Sequence, residues 1–236
     1  MSGPQLEDSD VIQQCKKVIG MFNGKQVNFW FVRTPEFLID AKDNHIPIPI
    51  GHLGVICDLA LAIVIGAELD HNSGRGDIKN AINGYGAVLA ARTKDSEYED
   101  PEGTGLHKIH EFSDGTALST LVNTQYATGI EQSSVWYSVN DKVQKKINIA
   151  DLPHDPVSLV FEALKWGKLQ PGDLVLFMVD GDNYCKAGDT IELGLEGFLR
   201  SQFTVEKMSE VQAAINQDLH RHEKMVRHVV DELLDH

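Results

Sequence analysis

The residue with the most chemical consequence in this chain is Asp58, a carboxylate set among Val55, Ile56, Leu61 and Ile63. An acid in such a run is expensive to bury unless it is paired, bound to a cation or catalytic. The residues alone leave all three uses open. His52, six residues earlier, has the chemistry of a general base near neutral pH, although a lone histidine is more often structural or solvated. Two sets of hard oxygen and nitrogen donors offer themselves to a cation: Asp58 with Asp180 and Asp182, and Glu68 with Asp70 and His71. Neither has a spacing that compels a metal site. His220, His222 and His228 suggest a metal by count, yet no two are four residues apart, so a solvated helix face is the simpler reading. Cys15, Cys57 and Cys185 are scattered and odd in number, which points to reduced thiols, with Cys57 a small buried hydrophobe. No Gly-x-Ser-x-Gly elbow, P-loop or dinucleotide fingerprint occurs, and Gly74-x-Gly76 lacks the third glycine and the strand before it.

The elements that must carry these groups are mostly strands. Pro171-Gly172-Asp173 and Gly188-Asp189 are two turns, each handing the chain to a strand, with the acids expected to bond the amides that follow. Residues 174–179 form a continuous apolar run suited to burial on both faces, whereas 190–195 alternate and predict a half-buried strand. Gly194 and Gly197 predict a bend or bulge there. Asn140-Asp141 marks a hairpin turn, and residues 29–32 read as a strand. The alternating Ile and Pro of 46–50 predict an extended loop or edge. Residues 11–21 predict a short helix with Val11, Cys15, Val18 and Ile19 on one stripe. Residues 70–77 read as a loop in which Asp77 caps a helix starting near Ile78. An acidic excursion over 95–105 is the candidate lid. Ser209 and Gln212 open a capping box, and Val211, Ile215, Leu219, Val226, Val229 and Leu233 predict an amphipathic helix over 209–236 that packs on its own domain or between subunits.

Taken in order, these segments resemble the fumarylacetoacetate hydrolase superfamily, which includes acylpyruvate hydrolases and related hydratases and decarboxylases. The resemblance is carried by Leu61-Ala62-Ile63-Val64-Ile65-Gly66, by Gly84-Tyr85, by the hairpin from Trp136 to Gln144 and by the paired Gly-Asp turns, from about Gly51 to Val205. It implies a mixed, β-rich α/β protein of the fumarylacetoacetate-hydrolase-like fold with a C-terminal helical extension. The expected organisation is an N-terminal arm and small cap elements over 1–50, a catalytic-fold domain over 51–206 and the tail helix over 207–236.

Members of that family hold a divalent cation, typically magnesium, through a Glu-x-Glu pair on the Leu-Ala strand and a third acid after Gly-Tyr. Alternate strand residues share a face, so such carboxylates converge on one hard ion that polarises a keto acid or diketone. Here the pair aligns with Asp58 and Ala60 and the third acid falls at or near Ala90, and a methyl group cannot bind magnesium. The family loop after the Pro-Gly-Asp strand is replaced by Asp180-Gly181-Asp182-Asn183. The resemblance also places Lys108 near a substrate carboxylate or enolate, and Arg92 and Lys94 where relatives carry Ser-Ala-Arg-Asp, with a local ion pair as the plain alternative. Three explanations follow: an enzyme that works without the metal, a metal relocated to the donors named above, or a binding or scaffold protein that kept the fold and lost the chemistry.

Composition agrees with this class. A chain of 236 residues with 42% apolar content buries a full core, and a net charge of −14 excludes a nucleic-acid surface. Residues 1–10 are polar and acidic, unlike a secretory signal, and no apolar run reaches membrane-spanning length. The sequence thus predicts a cytoplasmic, homodimeric protein that takes a small-molecule substrate and needs no cofactor, with magnesium at a relocated site as the alternative. The expected catalytic residues are Asp58, Lys108 and His52. Substrate contacts are expected from Tyr85, Arg92, Lys94, Asp180 and Asp182, and no metal ligands are assigned. The substrate class is a small enolisable keto acid or 1,3-dicarbonyl compound, turned over through an enolate by C–C hydrolysis, decarboxylation, hydration, isomerisation or cyclisation.

Overall fold

A computed structural model describes residues 5–6, 8–23, 28–35, 38–39, 44–93, 115–179 and 181–209. Along the chain these form β1 (Gln5–Leu6), α1 (Asp8–Gln14), β2 (Val18–Asn23), β3 (Asn28–Arg33), β4 (Leu38–Ile39), β5 (His45–Ile48), β6 (Gly54–Ile65), α2 (Arg75–Ala81) and β7 (Ile82–Arg92). There follow β8 (Thr116–Leu118), β9 (Leu121–Asn123), β10 (Ser134–Val139), β11 (Lys142–Asn148), α3 (Pro156–Ala163), β12 (Leu174–Val179), β13 (Tyr184–Lys186), β14 (Thr190–Leu195) and β15 (Arg200–Lys207). The result is a mixed, β-rich α/β protein, as the sequence predicts. The lid expected over 95–105 and the tail helix beyond Ser209 lie outside the described residues.

Two sheets organise the molecule. The first has ten strands, with β1-β9-β7-β6-β12-β2-β3 as its main path, β13 on β6, and β8 between β7 and β4. The second has five, in the order β11-β10-β14-β15-β5. Strand β6 lies inside the first sheet and all twelve of its residues are buried, which is why its sequence is a run rather than an alternation. Its odd positions, including Cys57, Leu59, Leu61 and Ile63, join the large core shared with Val135, Tyr137, Leu193 and Phe203 of the second sheet. Its even positions Ala60, Ala62 and Val64 face a smaller apolar cluster with Val11, Cys15, Val88, Ala90, Leu176 and Met178. The first sheet is therefore covered on both faces, by the second sheet on one and by α1 on the other. Among the described residues, no helix is long and apolar enough to cross a membrane.

Local chemistry explains most of the turns. Asn140 and Asp141 have φ of 50° and 65°, the left-handed pair that a tight hairpin between β10 and β11 requires. Gly172 and Gly188 sit at φ of 89° and 90°. Their neighbouring acids do not bond the amides that follow, as expected, but amides that precede. Asp173, fully buried, accepts from Gln170 N–H at 2.8 Å and from the Lys16 and Lys17 amides at 3.1 Å, which ties the end of α1 to the start of β12. Asp189 accepts from Lys186 N–H at 2.7 Å and from Asn140 Nδ2 at 2.9 Å.

Four other expectations need correction or refinement. The helix predicted over 11–21 ends at Gln14, and Val18–Asn23 is a strand parallel to β12. Val18 and Phe22 face the smaller cluster while Ile19 and Met21 face the larger, a period-two division that uses every apolar residue, where a helical stripe would waste half. The Ile-Pro stretch forms β5, an edge strand parallel to β15, where the missing amide of Pro47 is tolerated. Helix α2 begins at Arg75, so Asp77 caps it from within the first turn, accepting from Gly74 N–H at 2.9 Å. Gly194 makes no bulge. It pairs squarely with Trp136 and Arg200, and an added Cβ would lie 2.6 Å from the Leu199 carbonyl oxygen.

Candidate active site

Asp58 lies in the fifth position of β6, directly opposite Ala90 of β7, and Arg92 lies opposite Ile56. Positions 58 and 92 are thus diagonal neighbours on one face, close enough for a long side chain to bridge. Arg92 Nε donates to Asp58 Oδ2 at 3.1 Å, with the two side chains 10% and 0% exposed. The Gly181 amide donates to Asp58 Oδ1 at 2.6 Å, and Arg92 Nη2 donates to the Gly181 carbonyl at 3.2 Å. Carboxylate, guanidinium and the backbone of one residue, Gly181, close a ring of hydrogen bonds between β6, β7 and the segment after β12. Of the uses open to an acid in an apolar strand, the structure shows pairing.

Gly181 completes this ring for a steric reason. A Cβ there would sit 1.7 Å from the Cys57 carbonyl oxygen and 3.3 Å from Asp58 Cα. Only glycine lets this backbone lie flat on β6. The sequence flagged the acids of the 180–183 loop, but the group that reaches Asp58 is the amide between them.

Behind the ring, on the opposite face, Cys57 Sγ donates to Cys185 Sγ at 3.8 Å, and the Tyr137 hydroxyl donates to the Cys57 carbonyl at 3.4 Å. The hydrogen bond to Cys185, reinforced by burial, pushes the Cys57 thiol well up, while accepting that bond brings the Cys185 thiol down. Burial raises the Tyr137 phenol out of any working range. Cys57 and Tyr137 are thus protonated structural partners at neutral pH. Cys57 is fully buried, as its sequence neighbours predict; its closeness to Cys185 was invisible in a spacing of 128 residues.

The other expected site residues are distributed unevenly. His52 is half-buried in the turn between β5 and β6, where its amide donates to Pro49 C=O at 3.1 Å. Tyr85 is on β7 opposite Ile63, five positions along the ladder from Asp58, or about 17 Å at strand spacing. It belongs to the large core on the other face of the sheet, and burial with Glu131 nearby pushes its phenol up to about 12. Asp182 is exposed, one residue beyond Gly181. Lys108, Lys94 and Asp180 lie outside the described residues. The structure therefore joins Asp58 to Arg92, places Asp182 near their ring by chain connectivity, and separates Tyr85 from them.

The donor set does not match the magnesium site that the resemblance implies. Ala60 shares the Asp58 face and Ala90 stands opposite Asp58, and both methyl groups are packed into the smaller apolar cluster. Both Asp58 oxygens already accept hydrogen bonds from cationic or amide donors. Of the alternative donors, Glu68 pairs with Lys168 at 3.7 Å, and Asp70 accepts from Asn72 N–H at 2.8 Å within its own turn. Among the described residues, no group of three or more His, Cys, Asp or Glu side chains converges for a metal. Next to Ala90, a hollow of about 10 Å³ is lined by Val18, Thr116, Leu176 and Met178 among others. That is room for about one water.

Comparison with known proteins agrees with this architecture. Residues 10–206 match the family model for the fumarylacetoacetate (FAA) hydrolase C-terminal region. Among solved structures, a yeast fumarylacetoacetate hydrolase family protein is similar at 16% identity and a TM-score of 0.72, covering 86% of this chain and 96% of its own. Fumarylpyruvate hydrolase from Pseudomonas aeruginosa, solved with Mn2+ and pyruvate, gives 14% identity and 0.70, over 82% and 91%. The 5-carboxymethyl-2-hydroxymuconate delta-isomerase of Mycobacterium smegmatis gives 19% and 0.68, over 84% and 81%. At these identities the structural likenesses establish the fold. No curated protein sequence matches.

Proposed function

Because the chain belongs to the fumarylacetoacetate hydrolase family, we propose that it is a divergent enzyme of that family, acting on a small enolisable keto acid or 1,3-dicarbonyl compound without a resident divalent cation. The observation that carries this reading is Arg92, a permanent cation held rigidly by Asp58 and the Gly181 carbonyl on the sheet face where the resemblance calls for carboxylates and their ion. An enolate is the shared intermediate of the reactions in question, and a fixed guanidinium lowers its energy as a preorganised donor. Asp58 then acts as a positioning residue that orients Arg92. His52 supplies the general base, Lys108 holds a substrate carboxylate, and Lys94, Asp180 and Asp182 stand as candidate substrate contacts, whereas Tyr85, in the core on the other face of the sheet, does not. With a guanidinium in place of a Lewis acid, steps that need only proton transfer and enolate stabilisation are favoured: isomerisation or cyclisation before hydrolytic cleavage. Relatives named for isomerisation and for hydrolysis both share the fold.

The test is solvent deuterium uptake at the carbon α to the ketone when oxaloacetate or an acylpyruvate is incubated in heavy water with chelator-treated protein. Uptake above background, lost in Lys108→Met and in a folded Arg92→Met, is the expected result. Uptake that appears only when magnesium or manganese is added removes the cation-free part of the proposal. A second reading, a non-catalytic ligand-binding or scaffold member, is favoured by the hollow beside Ala90, which is too small for a keto acid. Equal background exchange in wild type and both variants across a panel of such acids selects that reading.

A further inference from the structure

All three cysteines are free thiols, and two of them meet just behind the Asp58 ring. Cys185 of β13 pairs with Val55 of β6 and Tyr184 pairs with Ile56, so Cys57 is the diagonal neighbour of Cys185 on the same face. Both side chains are fully buried in the large core, with their sulfur atoms 3.8 Å apart. A disulfide brings its sulfurs to about 2.0 Å, so an approach of about 1.8 Å closes the bond. Strand β6 is held by β7 along its length and by β12 over 59–64. Strand β13 has three residues and pairs with β6 alone among the described strands, so β13 is the element that moves.

The two thiols are not equivalent. Cys185 Sγ accepts from Cys57 Sγ and from Asn183 Nδ2, the latter at 3.4 Å. Hydrogen bonds donated to a sulfur favour its thiolate, and they bring the Cys185 thiol down, whereas the bond that Cys57 donates, together with burial, holds the Cys57 thiol well up. Asn183 is half-buried, and Asp182 and Lys186 are exposed, so Cys185 lies one side chain below the surface, on a strand that opens by breaking a three-residue ladder. Cys15 is the contrast. It lies on the other face of the sheet, its Sγ donates to Lys17 C=O at 3.2 Å, and burial, with Asp173 nearby, pushes its thiol up to about 12.

We propose that Cys57 and Cys185 form a redox modification site, which a peroxide converts reversibly into a disulfide. The Cys185 thiolate attacks one peroxide oxygen, the O–O bond breaks, and the released hydroxide takes up a proton, leaving a sulfenic acid and water. The Cys57 sulfur then attacks the Cys185 sulfur: the S–S bond forms, the S–O bond breaks, and the Cys57 proton leaves with the hydroxyl as a second water. Two thiols lose two electrons and the peroxide gains them. The core favours this end point over further oxidation, because a disulfide is uncharged and a sulfinate would be a buried charge. The bond also fastens the 181–185 segment to β6 close to where the Gly181 amide meets Asp58, since the Gly181 backbone already rests on the Cys57 carbonyl.

The test is hydrogen peroxide added to the reduced full-length protein, read by intact mass and by peptide mapping without reductant. The expected results are a mass lower by two hydrogen atoms, a cross-linked peptide joining Cys57 to Cys185, and return to the dithiol with excess reduced glutathione. In Cys57→Ala, dimedone traps Cys185 as its sulfenic acid, whereas in Cys185→Ala it labels Cys57 only at background; equal labelling overturns the order of attack. Hydrogen exchange of the Gly181 amide slows several-fold in the oxidised protein, and unchanged exchange overturns the link to the Asp58 ring. Oxidation of neither thiol, or of Cys15 alone, overturns the site, and a cross-link that survives excess glutathione overturns its reversibility. The cross-link is read in wild type, so the outcome does not depend on the folding of either variant.

Discussion

Asp58 and Glu196 each meet a cation at hydrogen-bond distance, yet the two pairs live in different physical regimes. Asp58 and Arg92 are 0% and 10% exposed and share the backbone of Gly181 between them. Glu196 and Lys146 are about half exposed, and either partner can return to solvent. A buried pair of this kind commits the structure, because removing one member leaves an uncompensated charge. An exposed pair is exchangeable, because each partner is rehydrated when the contact opens. The same type of contact thus locks one side of the molecule and leaves the other adaptable.

The largest effect that can break this contrast is at the buried pair. Asp58→Asn and Arg92→Met are each expected to cost about 3–5 kcal/mol of folding stability in urea titrations, with the double variant Asp58→Leu/Arg92→Met recovering most of it. A cost below about 1 kcal/mol for either single change would mean that the pair behaves like a surface contact.

Next comes the glycine whose backbone completes the ring. Gly181→Ala places a Cβ 1.7 Å from the Cys57 carbonyl oxygen, a backbone atom that cannot swing away. A loss of about 1–3 kcal/mol is expected. Gly76→Ala is the matched control, since its added Cβ meets nothing within 4 Å in α2, and should stabilise by up to about 1 kcal/mol. Similar melting shifts of the same sign in the two variants would show that contact with β6 is not what fixes Gly181.

An intermediate case sharpens the comparison. Asp155 caps α3, accepting from Ser158 N–H at 2.8 Å, and pairs with Arg75 of α2 at 3.2 Å, with both side chains more than half exposed. Partial desolvation pushes its carboxyl up, but the bonds from Ser158 and Arg75 prevail and hold it below its ordinary value. A carboxyl whose folded pKa is depressed stabilises fully above the unfolded value and loses that contribution as pH falls through the folded one. Asp155→Ala should therefore cost about 1 kcal/mol at neutral pH, and progressively less below about pH 4. A cost independent of pH between neutrality and pH 3 would assign the effect to packing. At the far end, Lys146→Met should leave the urea midpoint unchanged within error, and a resolvable shift would move the Lys146–Glu196 pair toward the buried regime.

Much of the fold was readable one segment at a time. The apolar run of β12 declared a strand buried on both faces, Asn140-Asp141 declared its hairpin, and Pro47 left only an extended loop or an edge, because period, turn chemistry and a missing amide act within a few residues of their cause. Residues 18–23 misled, since Val11, Cys15, Val18 and Ile19 also fit a helical stripe and only pairing with β12, more than 150 residues away, decides for a strand. The demand that Asp58 be paired, bound or catalytic came from its neighbours alone.

Which of those it became was a tertiary decision. The partner, Arg92, is the diagonal neighbour of Asp58, two residues beyond its direct partner Ala90, so it is identified by strand register rather than by sequence distance. The second donor is a backbone amide, which every residue but proline possesses and no side-chain motif can announce; that it is Gly181 follows from how closely two backbones approach. Cys57 and Cys185 meet by the same route, through β6 and β13. Likewise Lys146, Trp136, Gly194 and Arg200 are scattered over 65 positions and become one row only when four strands align. Sequence fixes what each residue can do at the cost of burying it; side-by-side placement across strands depends on register, and register is set by the packing of the whole sheet.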